Sequence, residues 1–359
     1  MLLEVLHDTH YTYASPVQVS QHQLHLSLRS TPWQQVLSQQ LQLSLPAPLR
    51  ASRDPFGNER HFFDLEHAHD RLSICSRSIV HTHQPQPAPH LDLQLPWEQV
   101  REHFVYRAGQ TDDAASDFLY ASPLVPCTPD LAAYARTCFP PQRPLLEACM
   151  ELCLRIHEDF AYAPESTSVE TSAAQALAAR RGVCQDFTHV MVACCRSLGL
   201  PARYVSGYLL TQPPPGQPRL IGADASHAWA EVYVPAPDTA PGLSPGQWMG
   251  FCPTNARTPG EDFVVLGWGR DFTDVSPVRG VVQGGGQHQL KVQVTVRPVD
   301  ADWQPIEPTD LSITTASAAA APTAGATDCA VLSNTSTRPP TTKPAAKKVS
   351  HIRNRSTSD

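Results

Sequence analysis

The hydrophobic period of this chain changes twice along its 359 residues, and that order of periods narrows the architectures open to it. In residues 1–83 apolar and polar side chains alternate. Leu3, Val5, His7, Thr9 and Tyr11 share one face of a strand, and the runs QLHLSL, QLQLSL and LSICSRSIV repeat the pattern. Asp54-Pro55 and Gly57-Asn58, inside RDPFGNERHFFDL, are turn signals between such runs. A two-residue period punctuated by turns predicts an antiparallel β-sandwich. Its histidines, His7, His10, His22, His25, His61, His67, His69, His81 and His83, lack the compact spacing of metal ligands and are expected on solvated strand faces.

Residues 84–94, QPQPAPHLDLQ, read as a Pro-rich linker, and beyond them the spacing turns helical. LPWEQVREHFV (95–105) is amphipathic, and PLLEACMELCLRIHEDF (144–160) sets Leu145, Cys149, Leu152, Cys153 and Ile156 on one stripe. Cys149 and Cys153 could hold a metal, but unpaired thiols on such a stripe read better as buried packing. SAAQALAARR (172–181) predicts a short helix stopped by Gly182. From Arg203 onward strand periodicity returns in ARYVSGYLL, HAWAEVYV, QWMGFCPT and HQLKVQVTV, where Tyr208 and Trp229 read as packing residues. The expected fold is α+β, with an N-terminal sandwich (1–83), the linker, a helix-and-sheet core (95–300) and a disordered tail (301–359). The tail is Ala, Thr, Ser and Pro with almost no aromatics, and Lys343, Lys347, Lys348, Arg353 and Arg355 read as a solvated basic patch.

In RRGVCQDFTHVMVACCRSLGLP (180–201), Phe187, Val190, Met191, Cys194 and Leu198 recur at helical spacing, and Gly199 and Pro201 supply the stop. Cys184 falls in the first turn, where unpaired N–H groups and the positive end of the helix dipole favour a thiolate. Its own N–H could face an oxyanion forming beside it. Cys194 and Cys195, in mid-helix, read as packing. Asp186 and Asp224 read as structural, Asp186 as a first-turn cap. His227 heads the strand HAWAEVYV, and QWMGFCPTN would pair antiparallel with it, in a register that sets Cys252 opposite His227.

These three segments together, GVCQDFTHVMVACCRSLGLPARYVSGYL, DASHAWAEVYV and WMGFCPTN, resemble the transglutaminase-like superfamily. That family has a papain-like fold, with a Cys-His-Asp order on a helix and two adjacent strands. DFAYAPESTSVET, RDPFGNE and GRDFTDVSPVRGVVQGGGQHQLKVQVTV extend the resemblance, to its bacterial branch with a separate N-terminal domain, over residues 1–298. It implies Cys184 as nucleophile and His227 as general base, then acid. The family's pattern at the second strand is Asp-Pro-Thr, and here Cys252 stands at the Asp position. Thr254, Asn255 and Asp274 are alternative orienting groups for His227.

The implied chemistry is acyl transfer, by a peptidase or amidase acting on peptide or glutamine-type amides through a Cys184 thioester, with no cofactor. Two other readings follow from Cys252. One is a catalytically impaired peptide-binding module. The other is a zinc site of Cys184, His227 and Cys252 with an open fourth position. A net charge of -7 offers no global attraction to nucleic acid or anionic lipid. No apolar run reaches the roughly 18 residues a membrane span needs, and the first residues lack a signal-peptide pattern. The expected setting is the cytoplasm, with reduced cysteines and a peptide or protein amide as partner. VVQGGGQHQL lies between strands without a following Lys-Ser/Thr, so it is not a phosphate loop.

Overall fold

A computed structural model of the protein describes residues 1–108, 113–211, 226–236 and 246–306. The basic patch and nearly all of the predicted tail lie outside the described residues, as does Asp224. The N-terminal region is built around β1 (Leu2–Leu24). Along one edge of β1 run β4 (Glu59–Leu65) and β5 (His69–Thr82), both antiparallel to it. β2 (Gln34–Leu43) extends the sheet beyond β5, and β3 (Arg50–Arg53) extends it beyond β4. The other edge of β1 is taken by β12 (Val278–Gly284) and β13 (His288–Pro298), which the sequence grouped with the core.

The three long ribbons break at one level. Pairing of β1 is irregular between Thr12 and Val17, β4 and β5 part at residues 66–68, and Gly284–Gly286 interrupt the third ribbon. All three glycines have positive φ, and a β-carbon on Gly285 would meet Val17 at 2.8 Å, so the GGG run serves the bend. Bending lets the sheet fold on itself as a sandwich. Leu24, Phe63 and Leu65 of one arm pack with Leu72 and Ile74 of the other.

The structure corrects the expectation for four of the histidines. His7, His22, His25 and His69 are buried, because β1 and its neighbours are covered on both faces where the arms meet each other and the core. His7 Nδ1 lies 2.8 Å from the Tyr208 hydroxyl, and His22 stacks on Phe63 at 4.7 Å.

In the core, α1 (Trp97–His103), α2 (Pro129–Arg136), α3 (Leu145–Asp159), α4 (Ala173–Ala179) and α5 (Cys184–Ser197) lie near the sheet β10-β9-β8-β11. The sheet strands are β8 (Ala202–Leu209), β9 (Ser226–Val234), β10 (Gln247–Phe251) and β11 (Phe263–Gly269). A two-stranded parallel pair, β6 (Ala161–Tyr162) with β7 (Arg181–Gly182), leads into α5, and α6 (Phe272–Val275) follows β11. Thr128 caps α2 and Pro129 opens it, a start signal the sequence carries. Helix α5 is buried on every side rather than along one stripe, since α2, α3 and α4 cover one flank and β8 and β9 the other. Cys149, Cys153, Cys194 and Cys195 are all core residues, as are Tyr208 and Trp229.

The sandwich docks on the outer edge of β11 through two side-chain amides. Gln34 accepts from the Val265 N–H and donates to the Val265 carbonyl, both at 2.7 Å, and Asn58 does the same for Trp268 at 3.1 and 2.7 Å. These amides take the place of a neighbouring strand and close an edge that would otherwise be open. Trp268 is held between the guanidinium groups of Arg29 and Arg203, at 3.5 and 3.7 Å. Arg203 also pairs with Glu231 at 2.5 Å, both buried. Arg203→Met leaves that carboxylate buried and alone, and is expected to cost about 3–5 kcal/mol in urea unfolding. Adding Glu231→Leu is expected to recover most of the loss. A double variant as unstable as the single would show that the cost lies in lost packing instead.

Candidate active site

Cys184 is the first residue of α5, after Val183 in extended conformation. The orphan N–H of Val183 is satisfied by Asp186, whose Oδ2 accepts it at 2.8 Å and also accepts from the Thr167 hydroxyl at 2.7 Å. Asp186 is buried, which raises its carboxyl pKa, and Gly182 is required beside it because a β-carbon there would stand 2.5 Å from Oδ2. Asp186 is thus the structural cap its position suggested. Cys184 is nearly buried and packs with Tyr204, Ala228 and Val275, against the rim of Phe272.

His227, the second residue of β9, lies opposite Gly207 of β8 and precedes Ala228, which belongs to the same buried cluster as Cys184. Its Nε2 is 3.1 Å from Cys252 Sγ and 3.2 Å from Asn255 Nδ2, and Asn255 Nδ2 is 3.2 Å from the same sulfur. The ring is walled by Phe263 and Trp229, with centroids at 5.7 and 6.3 Å. Burial, and then the positive charge of Arg257, lower the His227 pKa to about 4 against a smaller upward pull from Asp262. The imidazole is therefore neutral at neutral pH. Burial also raises the Cys252 pKa, against the donors of Asn255, so Cys252 is a thiol.

The structure thus joins His227 directly to Cys252 and places Cys184 in the buried cluster that includes Ala228, the next residue along β9. The register differs from the expected one: Phe251 pairs with Ala230, which puts Cys252 level with Trp229 rather than His227. The contact is a diagonal one, and side chains of this length bridge it. Of the three alternative orienting groups, Asn255 reaches the ring. Asp274 is taken up by Arg270 at 3.0 Å, and the Thr254 hydroxyl is buried without a hydrogen-bond partner. No three His, Cys, Asp or Glu side chains among the described residues are grouped to hold a metal ion.

Comparisons with known proteins place the fold in a family. Residues 3–81 match the model of the bacterial transglutaminase-like N-terminal region, and residues 132–253 match the core of the transglutaminase-like superfamily. An uncharacterized protein of Mycobacterium tuberculosis is 38% identical over 305 residues, covering 83% of this chain and 93% of that protein. One of Mycobacterium leprae is 30% identical over 299 residues, covering 82% and 98%. The crystal structure of a candidate cysteine protease from Cytophaga hutchinsonii shares the fold with a TM-score of 0.63 at 22% identity, over 85% of this chain and 93% of that one. The chain belongs to the transglutaminase-like superfamily, in the branch that carries the bacterial N-terminal region ahead of the core.

Proposed function

We propose that this protein is a cysteine enzyme of acyl transfer that hydrolyses peptide or glutamine-type amides through a thioester on Cys184. The observation that carries the reading is His227, held at Nε2 by Cys252 and Asn255 on the strand whose next residue shares a buried cluster with Cys184 at the start of α5. With Nε2 so occupied, Nδ1 is the nitrogen left to take the thiol proton. The Cys184 sulfur then attacks the amide carbon, and the positive end of α5 stabilises the oxyanion. His227 returns the proton to the leaving amine, and water, activated by the same nitrogen, breaks the thioester. Because His227 is neutral at neutral pH, the proton moves as the sulfur–carbon bond forms rather than beforehand. We place this activity in the cytoplasm, where the thiol stays reduced.

The test is intact-mass detection of an acyl adduct on Cys184 during turnover of peptide and glutamine-side-chain amides, with a primary amine added to divide hydrolysis from transamidation. No adduct from any amide would sink the reading. Cys252→Asp places a carboxylate on Nε2, where it stabilises the imidazolium formed at attack. Amide turnover is expected to rise about a hundredfold, less than the 10⁴ that the carboxylate is worth in a serine enzyme. If activity appears only in Cys252→Asp, the natural protein is a peptide-binding module, a reading favoured by the buried, protonated Cys252.

A further inference from the structure

Beyond Cys252 the chain makes a tight loop. The Cys252 N–H donates to the Arg257 carbonyl at 2.8 Å, and the Asn255 N–H donates to the Cys252 carbonyl at 3.2 Å. Ala256 has a φ of 53°, in the left-handed region that a β-carbon disfavours. Such conformations persist where their surroundings over-determine them. Here His157 of α3 holds the Pro253 and Thr254 carbonyls, at 3.2 and 3.0 Å from its Nδ1, and Asp262 grips the Arg257 guanidinium. Pinned on both sides, the loop turns the Asn255 amide back over β9, onto His227 and Cys252 together.

The protons of this trio require an acceptor. For Nδ1 to take a proton from Cys184, the ring must carry its own proton on Nε2, which then donates. Cys252, as a thiol, also donates, and its sulfur is a weak acceptor. Two donors facing one amide call for its oxygen, and a half-turn of the amide exchanges Oδ1 for Nδ2 at the same positions. Resting on the acyl-transfer reading of Cys184 and His227, we infer that Asn255 is the positioning residue of this site. Its carbonyl oxygen accepts from His227 Nε2–H and from the Cys252 thiol, fixing the tautomer whose Nδ1 carries no proton and can accept one. The amide thereby supplies, from three residues further along, the acceptor that position 252 lacks.

The test uses the full chain and two readouts. Iodoacetamide alkylation of Cys184, followed by peptide mass spectrometry from pH 6 to 9, is referenced to the exposed Cys127 in the same molecule. Asn255→Ala is expected to slow Cys184 about ten- to hundredfold at pH 7, the worth of a hydrogen bond to a group that becomes charged. Asn255→Asp is expected to restore the rate. In a Cys252→Asp background, where a carboxylate already holds Nε2, Asn255→Ala is expected to change the rate less than about threefold. An equal slowing in both backgrounds would mark a structural role and overturn the assignment, as would no slowing in either. The second readout is the ¹⁵N spectrum of His227, expected to show Nε2–H in wild type and a tautomer mixture in Asn255→Ala. Nδ1–H in wild type overturns the positioning role whatever Cys184 does. A Cys184 that reacts no faster than Cys127, with His227 in the Nε2–H form, instead overturns the acyl-transfer reading.

Discussion

Replacing Cys184 by alanine is expected to abolish amide turnover, a loss on the order of 10⁶ in kcat, as when the nucleophile of a hydrolase is deleted. The fold should survive, because the removed sulfur lies at the end of α5 in a small cluster, beside a helix whose core contacts begin at Phe187. Removing one such atom costs about 1 kcal/mol. The informative contrast is Cys194→Ala. That thiol is fully buried in mid-helix, so its loss should lower stability by a similar amount and leave the rate per folded molecule unchanged. Retention of more than about a hundredth of wild-type turnover by Cys184→Ala, measured with the acyl adduct absent, would remove Cys184 from the chemistry.

The second large effect is acid unfolding well above the usual carboxylate range. Burial lowers the pKa of His7, His22 and His227 to about 4 and that of His189 to about 3. In the unfolded chain each titrates near 6.5. Between those values the unfolded state binds more protons than the folded one, so stability falls as pH falls. The stabilisation is whole above about pH 6.5 and is lost progressively towards pH 4. At pH 5 each histidine removes about 2 kcal/mol, and the four together about 8, comparable to the whole stability of an ordinary domain. A circular dichroism titration is expected to give a steep transition near pH 5. His22→Phe, which keeps the stack on Phe63 without the titrating ring, should move it to lower pH. An unfolding midpoint below pH 4 would show that these rings are solvated.

Local periodicity carried the elements well. The helical stripe of 144–160 became α3, Cys184 lies in the first turn of its helix as expected, and the His227 strand starts one residue ahead of His227. What escaped was long-range. Alternation assigns His7 and His22 to a face but does not say whether that face is covered, and here both faces are. The pairing of Tyr13 with His288 leaves no mark in either strand taken alone. The partnership of His227 and Cys252 was legible from the motif order, but not its diagonal register, which neither strand taken alone specifies. Asn255 stood in the sequence as one of three equal stand-ins for the missing carboxylate. The loop with its left-handed turn at Ala256 carries it onto the ring, whereas Asp274 is held by Arg270.

The pairing of β1 with β12 and β13 sets a timetable for biosynthesis. β1 leaves the ribosome well before its partners on one edge, which among the described residues are 278–298. At about 5–20 residues per second, the roughly 250 residues in between take on the order of ten to fifty seconds to emerge. Throughout that interval the nascent chain carries one bare row of amide and carbonyl groups, able to recruit a neighbouring polypeptide. The late ribbon is therefore a latch. Messages cut short before codon 278 should yield insoluble product even though they encode every residue of the candidate site.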